Sequence, residues 1–297
     1  MITIIFNPIA AGGRAAQSLE RVKERLDGLG LEYEVKKSEY HRHTVELVRQ
    51  AASQGADMIL TLGGDGTVME AVNGIAGLEN APPLGFLPGG TGNDFTRSLG
   101  LDRDPVKALD QILSGGTAQC DLWQANDRYF VNLIGLGLDT DLVDWSKRTK
   151  KILRGIAAYI AALLLTLITF RYKRVRLTID GTVYEREVIV ITCTNGRYYG
   201  GGMLVSPNAD ICDGKLDIVI INRIAKARIP FVLAKYIKGH HVSQPYCEYM
   251  QGSEITIETD SGKLYYETDG EVDNRPPVHI HTAGRIRVLA PAGFKGM

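Results

Sequence analysis

"TLGGDGTVMEAVNGIAG", Thr61–Gly77, decides the fold. The apolar run before it, DMILTL, ends on two glycines. One carboxylate, Asp65, follows, then Gly66, then a helical repeat with Val68, Val72 and Ile75 on one face. A buried strand that turns through glycines into a helix lets backbone N–H groups approach phosphate oxygens, and the helix N-terminus adds positive potential. The stretch lacks the GxxxxGK[ST] pattern of a P-loop and supplies no lysine. An aspartate in that place repels a phosphate unless a cation lies between. Asp65 therefore implies Mg²⁺ or a role in orienting other groups. Taken alone, the motif reads equally well as a tight turn with Asp65 capping its helix.

The surroundings repeat the pattern. ITIIFNP is a short apolar run ending in a turn, and AAQSLERVKERLDGLG sets Leu19, Val22, Leu26 and Leu29 on one helical face. LEYEVKKS alternates as a strand, HTVELVRQAASQG is a helix, and PLGFLPGG is another strand. DPVKALDQILSGG is a helix with Pro105 at its start and a glycine after its end. Strand and helix alternate about four times, which predicts a mostly parallel sheet covered by helices. Ligands bind beyond the carboxyl ends of such strands. Three glycine-rich loops fall there: NPIAAGGR, GGDGT and PGGTGNDF.

After residue 120 the pattern becomes antiparallel. QCDLWQANDRYFVNLIG predicts a hairpin around Asn126-Asp127, and RVRLTIDGTVYEREVIVITCTN a second one turning at Asp180-Gly181. LDIVIIN, EITIET, KLYYETDGE, PVHIH and RIRVLAP read as further strands. The expected fold is an α/β domain over residues 1–122 and a β-rich domain, an antiparallel sandwich or barrel, over 123–297. The last residues are free to pack back on the first domain.

Basic and acidic side chains number 34 each, so no excess of positive charge points to a nucleic-acid partner. The four cysteines are far apart and form no CxxC pair, which suits reduced thiols in a cytoplasmic protein rather than zinc. MITIIFNP reads as a first strand, not as a signal peptide. GIAAYIAALLLTLITF, Gly155–Phe170, is uncharged but shorter than the ~20 residues a bilayer span needs. Its flanks are basic, Lys147, Arg148, Lys150, Lys151 and Arg154 before and Arg171, Lys173, Arg174 and Arg176 after, so it reads as a buried or interfacial helix within residues 146–170. TNGRYYGGGMLVSP is either a lip of a substrate cleft or a loop over packed aromatics. His279 and His281 form an HxH with no evident partner ligands.

The second loop carries the chemistry further. PGGTGNDF, Pro88–Phe95, again follows a strand and sets Asp94 beside glycines. Two such loops on adjacent strands bring Asp65 and Asp94 to one crevice, and two carboxylates near bound phosphates suit a hydrated Mg²⁺.

NPIAAGG, GGDGT and PGGTGNDF together resemble the diacylglycerol kinase catalytic-domain family, most of all its short bacterial lipid kinases, and the resemblance extends over nearly the whole chain. GGDGT is shared with NAD kinases, and PGGTGNDF is the specific part. The resemblance implies a nucleotide-binding domain facing a β-sandwich across a cleft. It implies ATP contacts at Asn7, Pro8, Gly12, Gly13, Ser38, Gly64, Asp65, Gly66, Thr67, Glu70 and Thr91; Ser38 stands where the family often has threonine. Asn93 and Asp94 would hold Mg²⁺ and phosphates with Asp65. In YYETDGEV, Asp269 or Glu271 would be the base that takes the lipid hydroxyl proton, Asp269 being the first choice. In NADICDGKLDIVII, Asp210, Asp213 and the main-chain carbonyl of Lys215 would bind a structural Mg²⁺. Without the resemblance that turn reads as solvated and acidic.

The expected activity is transfer of the γ-phosphate of ATP to a lipid hydroxyl, diacylglycerol first, by a protein that touches the membrane surface transiently. Two rivals stand beside it. One is an NAD kinase, against which GNDF argues. The other is a non-catalytic nucleotide or lipid sensor, which has no chemical need for Asp65, Asp94 and Asp269 together.

Overall fold

The computed structural model describes residues 1–138, 145, 149, 165–166, 169–259, 265–268 and 271–295. Strands β1 (Ile2–Phe6), β2 (Tyr33–Lys37), β3 (Met58–Gly63) and β4 (Leu84–Pro88) pair in parallel in the order β2-β1-β3-β4. Ile4 lies between Val35 and Leu60, and Leu60 beside Gly85. Every residue of β1 and β4 is buried, as a strand covered on both faces requires. Helices α1 (Ala15–Gly28), α2 (His43–Ser53) and α3 (Asp65–Ile75) make the crossovers. With right-handed connections this order puts α1 on one face and α2 and α3 on the other. Accordingly α2 packs on α3, while α1 meets α5 (Pro105–Ser114), which follows the short α4 (Asp94–Ser98). The direction of crossover reverses between β1 and β3, so their carboxyl ends frame the crevice of the sheet.

The second half is antiparallel. Strands β5 (Gly116–Ala125), β6 (Arg128–Phe130), β7 (Leu133–Gly137), β8 (Lys173–Ile179) and β9 (Thr182–Thr194) are followed by the two-residue ribbon β10 (Tyr198–Tyr199) and β11 (Met203–Leu204). Then come β12 (Leu216–Asn222), β13 (Cys247–Gly252), β14 (Glu254–Thr259), β15 (Tyr266–Thr268), β16 (Glu271–Asp273) and β17 (Val278–Ala290). Trp123, Phe130, Ile191, Ile218, Tyr266 and Ile280 share one core between them. The β8–β9 hairpin turns at Asp180-Gly181, both at positive φ (45° and 82°), as the Asp-Gly pair dictates. The α/β plus antiparallel architecture is thus the one expected from sequence.

Strand β17 joins the two halves. It pairs with β14 at Ile280, with β5 along most of its length, and with β4 at Val288. The boundary expected between residues 122 and 123 falls inside β5. Two helices were not anticipated: the five-residue α4, and α6 (Ile229–Ile237, IPFVLAKYI), which is apolar nearly all round, so its sequence lacks a two-faced pattern. Among the described residues no helix is long and apolar enough to cross a membrane. Most of Gly155–Phe170, including 155–164, lies outside the described residues, as do Lys147, Arg148, Lys150, Lys151 and Arg154.

Candidate active site

The first two glycine loops meet at the crevice beside β1 and β3. Asn7, at the end of β1, donates from Nδ2 to Thr67 Oγ1 at 3.1 Å, tying the first loop to α3. Gly64 and Gly90 bring the second and third loops into backbone contact. A Cβ on Gly90 would lie 2.4 Å from Gly64 Cα, and one on Gly92 would lie 2.6 Å from Asp65 Oδ2. Here glycine is required by the closeness of two loops, whatever a ligand demands.

Asp65 orients its neighbour loop. Its Oδ2 accepts from the Asn93 N–H at 2.8 Å and its Oδ1 from the Asp94 N–H at 2.6 Å. It thereby caps the first turn of α4 from another helix. Asn93 sits in the left-handed region (φ 53°) that asparagine tolerates, and its side-chain amide bonds both N–H and C=O of Gly90. Glu70 plays a similar part, accepting from the Arg42 and Thr44 N–H groups at the start of α2.

Asp94 is different. It is 4% exposed, its Oδ2 accepts from the Gly201 N–H at 2.8 Å, and its Oδ1 is buried without a hydrogen-bond partner. Burial pushes its carboxyl above the usual value and the Asp65 charge adds to that, against the lowering effect of the Gly201 amide. A buried, half-satisfied carboxylate calls for a cation or a donor from a ligand. Asp65 and Asp94 therefore suit Mg²⁺, which when bound would neutralise phosphate charge.

Two cavities share one wall. A cleft of ≈ 510 Å³ is lined by Asn7, Gly64, Gly66, Thr67, Glu70 and Gly90 among others, with α3's N-terminus facing it. A second cavity, of ≈ 380 Å³, is lined by Asp94, Asn132, Gly201 and Glu267, with Val68, Phe95 and Tyr199 as its apolar side. Asp65 and Thr91 line both. A nucleotide in the first and an acceptor in the second would meet at that wall. Pro8, Gly12, Gly13 and Ser38 are not in either lining; Gly12 and Gly13 shape the first loop with φ of 69° and 94°, and Ser38 is 7% exposed just past β2. Asn93 lines a smaller neighbouring hollow.

Asp269 lies outside the described residues, and Glu271 begins β16 opposite Thr268. Glu267, 1% exposed on β15, was not singled out from sequence, although it stands two residues before Asp269. The glycine-rich loop after β10 forms a wall of the second cavity through Tyr199–Gly201, and Tyr198 lies under the Arg97 guanidinium.

The acidic turn at Asp210–Lys215 packs elsewhere. Asp210 Oδ1 accepts from the Cys212 N–H and Asp213 Oδ1 from the Lys215 N–H. Between them comes Asp121 from β5, 2% exposed, which accepts from Gly214 N–H at 2.6 Å and from Arg285 Nε at 2.8 Å. Arg285 also donates to the Cys212 carbonyl at 3.0 Å. Burial first, then the neighbouring Asp210 and Asp121 charges, raise the Asp213 carboxyl, so the turn still favours a further cation. Among the described residues no three His, Cys, Asp or Glu side chains form a ready metal cage. Arg285→Met is expected to lower stability by leaving the buried Asp121 carboxylate without its cation, and adding Asp121→Asn to recover part of the loss. Urea denaturation of the three proteins checks this; equal midpoints for wild type and Arg285→Met would mean the pair contributes nothing.

Comparison with known proteins supplies the rest. The diacylglycerol kinase catalytic domain matches residues 1–125, and the YegS C-terminal NAD kinase beta sandwich-like domain matches residues 132–290. A diacylglycerol kinase of Bacillus subtilis (strain 168) is 29% identical over 291 residues, 97% of this chain and 95% of that protein. One of Staphylococcus aureus (strain MRSA252) is 29% identical over 97% of this chain and 91% of its own length. A crystal structure of a diacylglycerol kinase from Bacillus anthracis str. Sterne superposes with a TM-score of 0.76 at 25% identity, covering 99% of this chain and 98% of that one.

Proposed function

Because the chain belongs to the diacylglycerol kinase family, its catalytic domain joined to a YegS-type sandwich, it is a lipid kinase; we propose that it transfers the γ-phosphoryl group of ATP to a glycerolipid hydroxyl, diacylglycerol first, with Mg²⁺. The observation that carries this reading is the wall of Asp65 and Thr91 between a glycine-lined cleft and a carboxylate-lined cavity. Phosphoryl transfer needs little covalent help from protein; it needs the two reactants held in line and the charge neutralised. The α3 N-terminus and the first two glycine loops would hold the triphosphate. Asp65 keeps the Asn93–Asp94 turn in place, and Asp94 would hold Mg²⁺ with it. The cation would draw charge from the phosphate oxygens. Val68, Phe95 and Tyr199 would receive the apolar part of the acceptor beside its hydroxyl. Asp269, with Glu271 as the alternative, would take the hydroxyl proton. Asp210, Asp213 and the Lys215 carbonyl would bind a structural Mg²⁺. Residues 1–122 would act as the nucleotide domain and 123–297 as the lipid domain, at the surface of a membrane.

Purified protein is expected to move label from [γ-³²P]ATP into the organic phase when offered diacylglycerol with Mg²⁺. Phosphatidylglycerol, sphingosine and NAD run in parallel. Label only in an NAD-derived aqueous product, or in nothing at all, would overturn the proposal. Asp269→Asn combined with Glu271→Gln should abolish the organic label, and full retention would remove both as the base.

A further inference from the structure

Helix α6 presents apolar residues on both faces. Ile229, Val232 and Tyr236 are buried against Val205, Val219 and Phe170. The opposite face carries Pro230, Phe231, Ala234 and Ile237, all exposed, with Phe231 74% exposed and Ile237 46%. Phe231 is the most exposed aromatic residue among the large exposed hydrophobics of the described chain. A helix apolar all round is stable in water only if something covers its outer side.

The charge around it says what. From Asn222 to Cys247 the chain has five Lys and Arg residues and no Asp or Glu. Lys226, Arg228, Lys235 and Lys238 lie within or beside this helix and are exposed. Lys226 donates to the Phe170 carbonyl and Lys235 to the Gln244 side-chain oxygen, both neutral, so these contacts leave the charges available. Apolar residues with cationic neighbours and no acidic ones match the boundary of an anionic bilayer, where rings enter the acyl region and ammonium groups meet phosphates. A protein partner would more often be met with mixed charge.

The position suits the lipid kinase reading, on which this inference rests for its purpose. Helix α6 packs against β11, and the loop between β10 and β11 carries Gly200 and Gly201 into the wall of the Asp94 cavity. We infer that α6 is a membrane-docking element, with Phe231 and Ile237 entering an anionic phospholipid surface and Lys226, Arg228, Lys235 and Lys238 binding its headgroups.

The test is sedimentation of the full chain with phosphatidylcholine vesicles, with and without phosphatidylglycerol, in the absence of ATP and diacylglycerol. Wild type should bind the anionic vesicles and lose binding as salt rises. Phe231→Ser with Ile237→Ser, and separately Lys235→Glu with Lys238→Glu, should each weaken binding at least about tenfold. Melting temperatures near wild type are expected, since the altered side chains are exposed. Phosphorylation of a short-chain diacylglycerol dissolved as monomers should stay unchanged. That arm separates the two ideas: wild type inactive on the monomeric substrate sinks the kinase proposal, whereas vesicle binding reads the docking alone. Variants that sediment like wild type would overturn the inference. So would a wild-type dimer that Phe231→Ser converts to monomer, which would assign the face to a second copy of the chain.

Discussion

Asp94→Asn should lose about 10²–10³-fold of the kinase activity while the protein becomes no less stable, and more stable toward neutral pH. The side chain keeps its shape, and one oxygen can still accept from Gly201. What it loses is a negative charge that the fold pays for. Burial and Asp65 raise the Asp94 carboxyl in the folded protein above its unfolded value near 4. A folded-state pKa raised in this way means the native state holds the proton longer than the unfolded one. Its favourable contribution is present below the unfolded pKa and is lost as pH climbs through the folded pKa. The melting-temperature difference between Asp94→Asn and wild type should therefore grow as pH rises above the unfolded carboxyl's value near 4, and level off once the folded-state carboxyl has ionised. Calorimetry across that range, with the organic-phase assay beside it, reads both halves. A variant that keeps activity would dismiss Asp94 from the site; one that melts lower at pH 7 than wild type would dismiss the strain.

Gly90→Ala should be nearly as damaging, by another route. Its Cβ would stand 2.4 Å from Gly64 Cα and 2.9 Å from Asn93 Oδ1. Neither the backbone of a neighbouring loop nor an amide already bonded to Gly90 can step aside cheaply. A stability loss of about 1–3 kcal/mol is expected. Activity should fall about 10²-fold as the Asp65–Asn93 turn moves out of place. Gly28→Ala, where nothing lies within 4 Å of the new methyl, is the matched control and should be neutral or slightly stabilising. If both variants melted and turned over alike, the touching loops would not explain the glycine.

The parts of this site that were legible in sequence are those made by a few consecutive residues. The glycine loops sit at strand ends, and a strand followed by glycines and a helix can be recognised without knowing its neighbours. Asp65 was readable as a metal ligand or an orienting group, and its bonds to the Asn93 and Asp94 amides display the second role. Asp121 and Arg285 could not be read. They meet across 164 residues of sequence, through the β5–β17 pairing and a bulge between Thr282 and Arg285. Glu267 was hidden for a similar reason, since only the register of β15 on β7 carries it inside. Helix α6 was missed because periodicity detects contrast, and this helix has little.

Strand β17 also bears on how the molecule is made. Its Val288 is the partner of Leu84 at the open side of β4, and its earlier residues close the core of the other half. During synthesis the parallel sheet therefore waits, with β4's edge uncovered, until residue 290 has left the ribosome. Neither half can finish first: the two become native together, late, through contacts of long sequence separation. Such a chain is slow to complete and, meanwhile, exposed to association with other nascent chains.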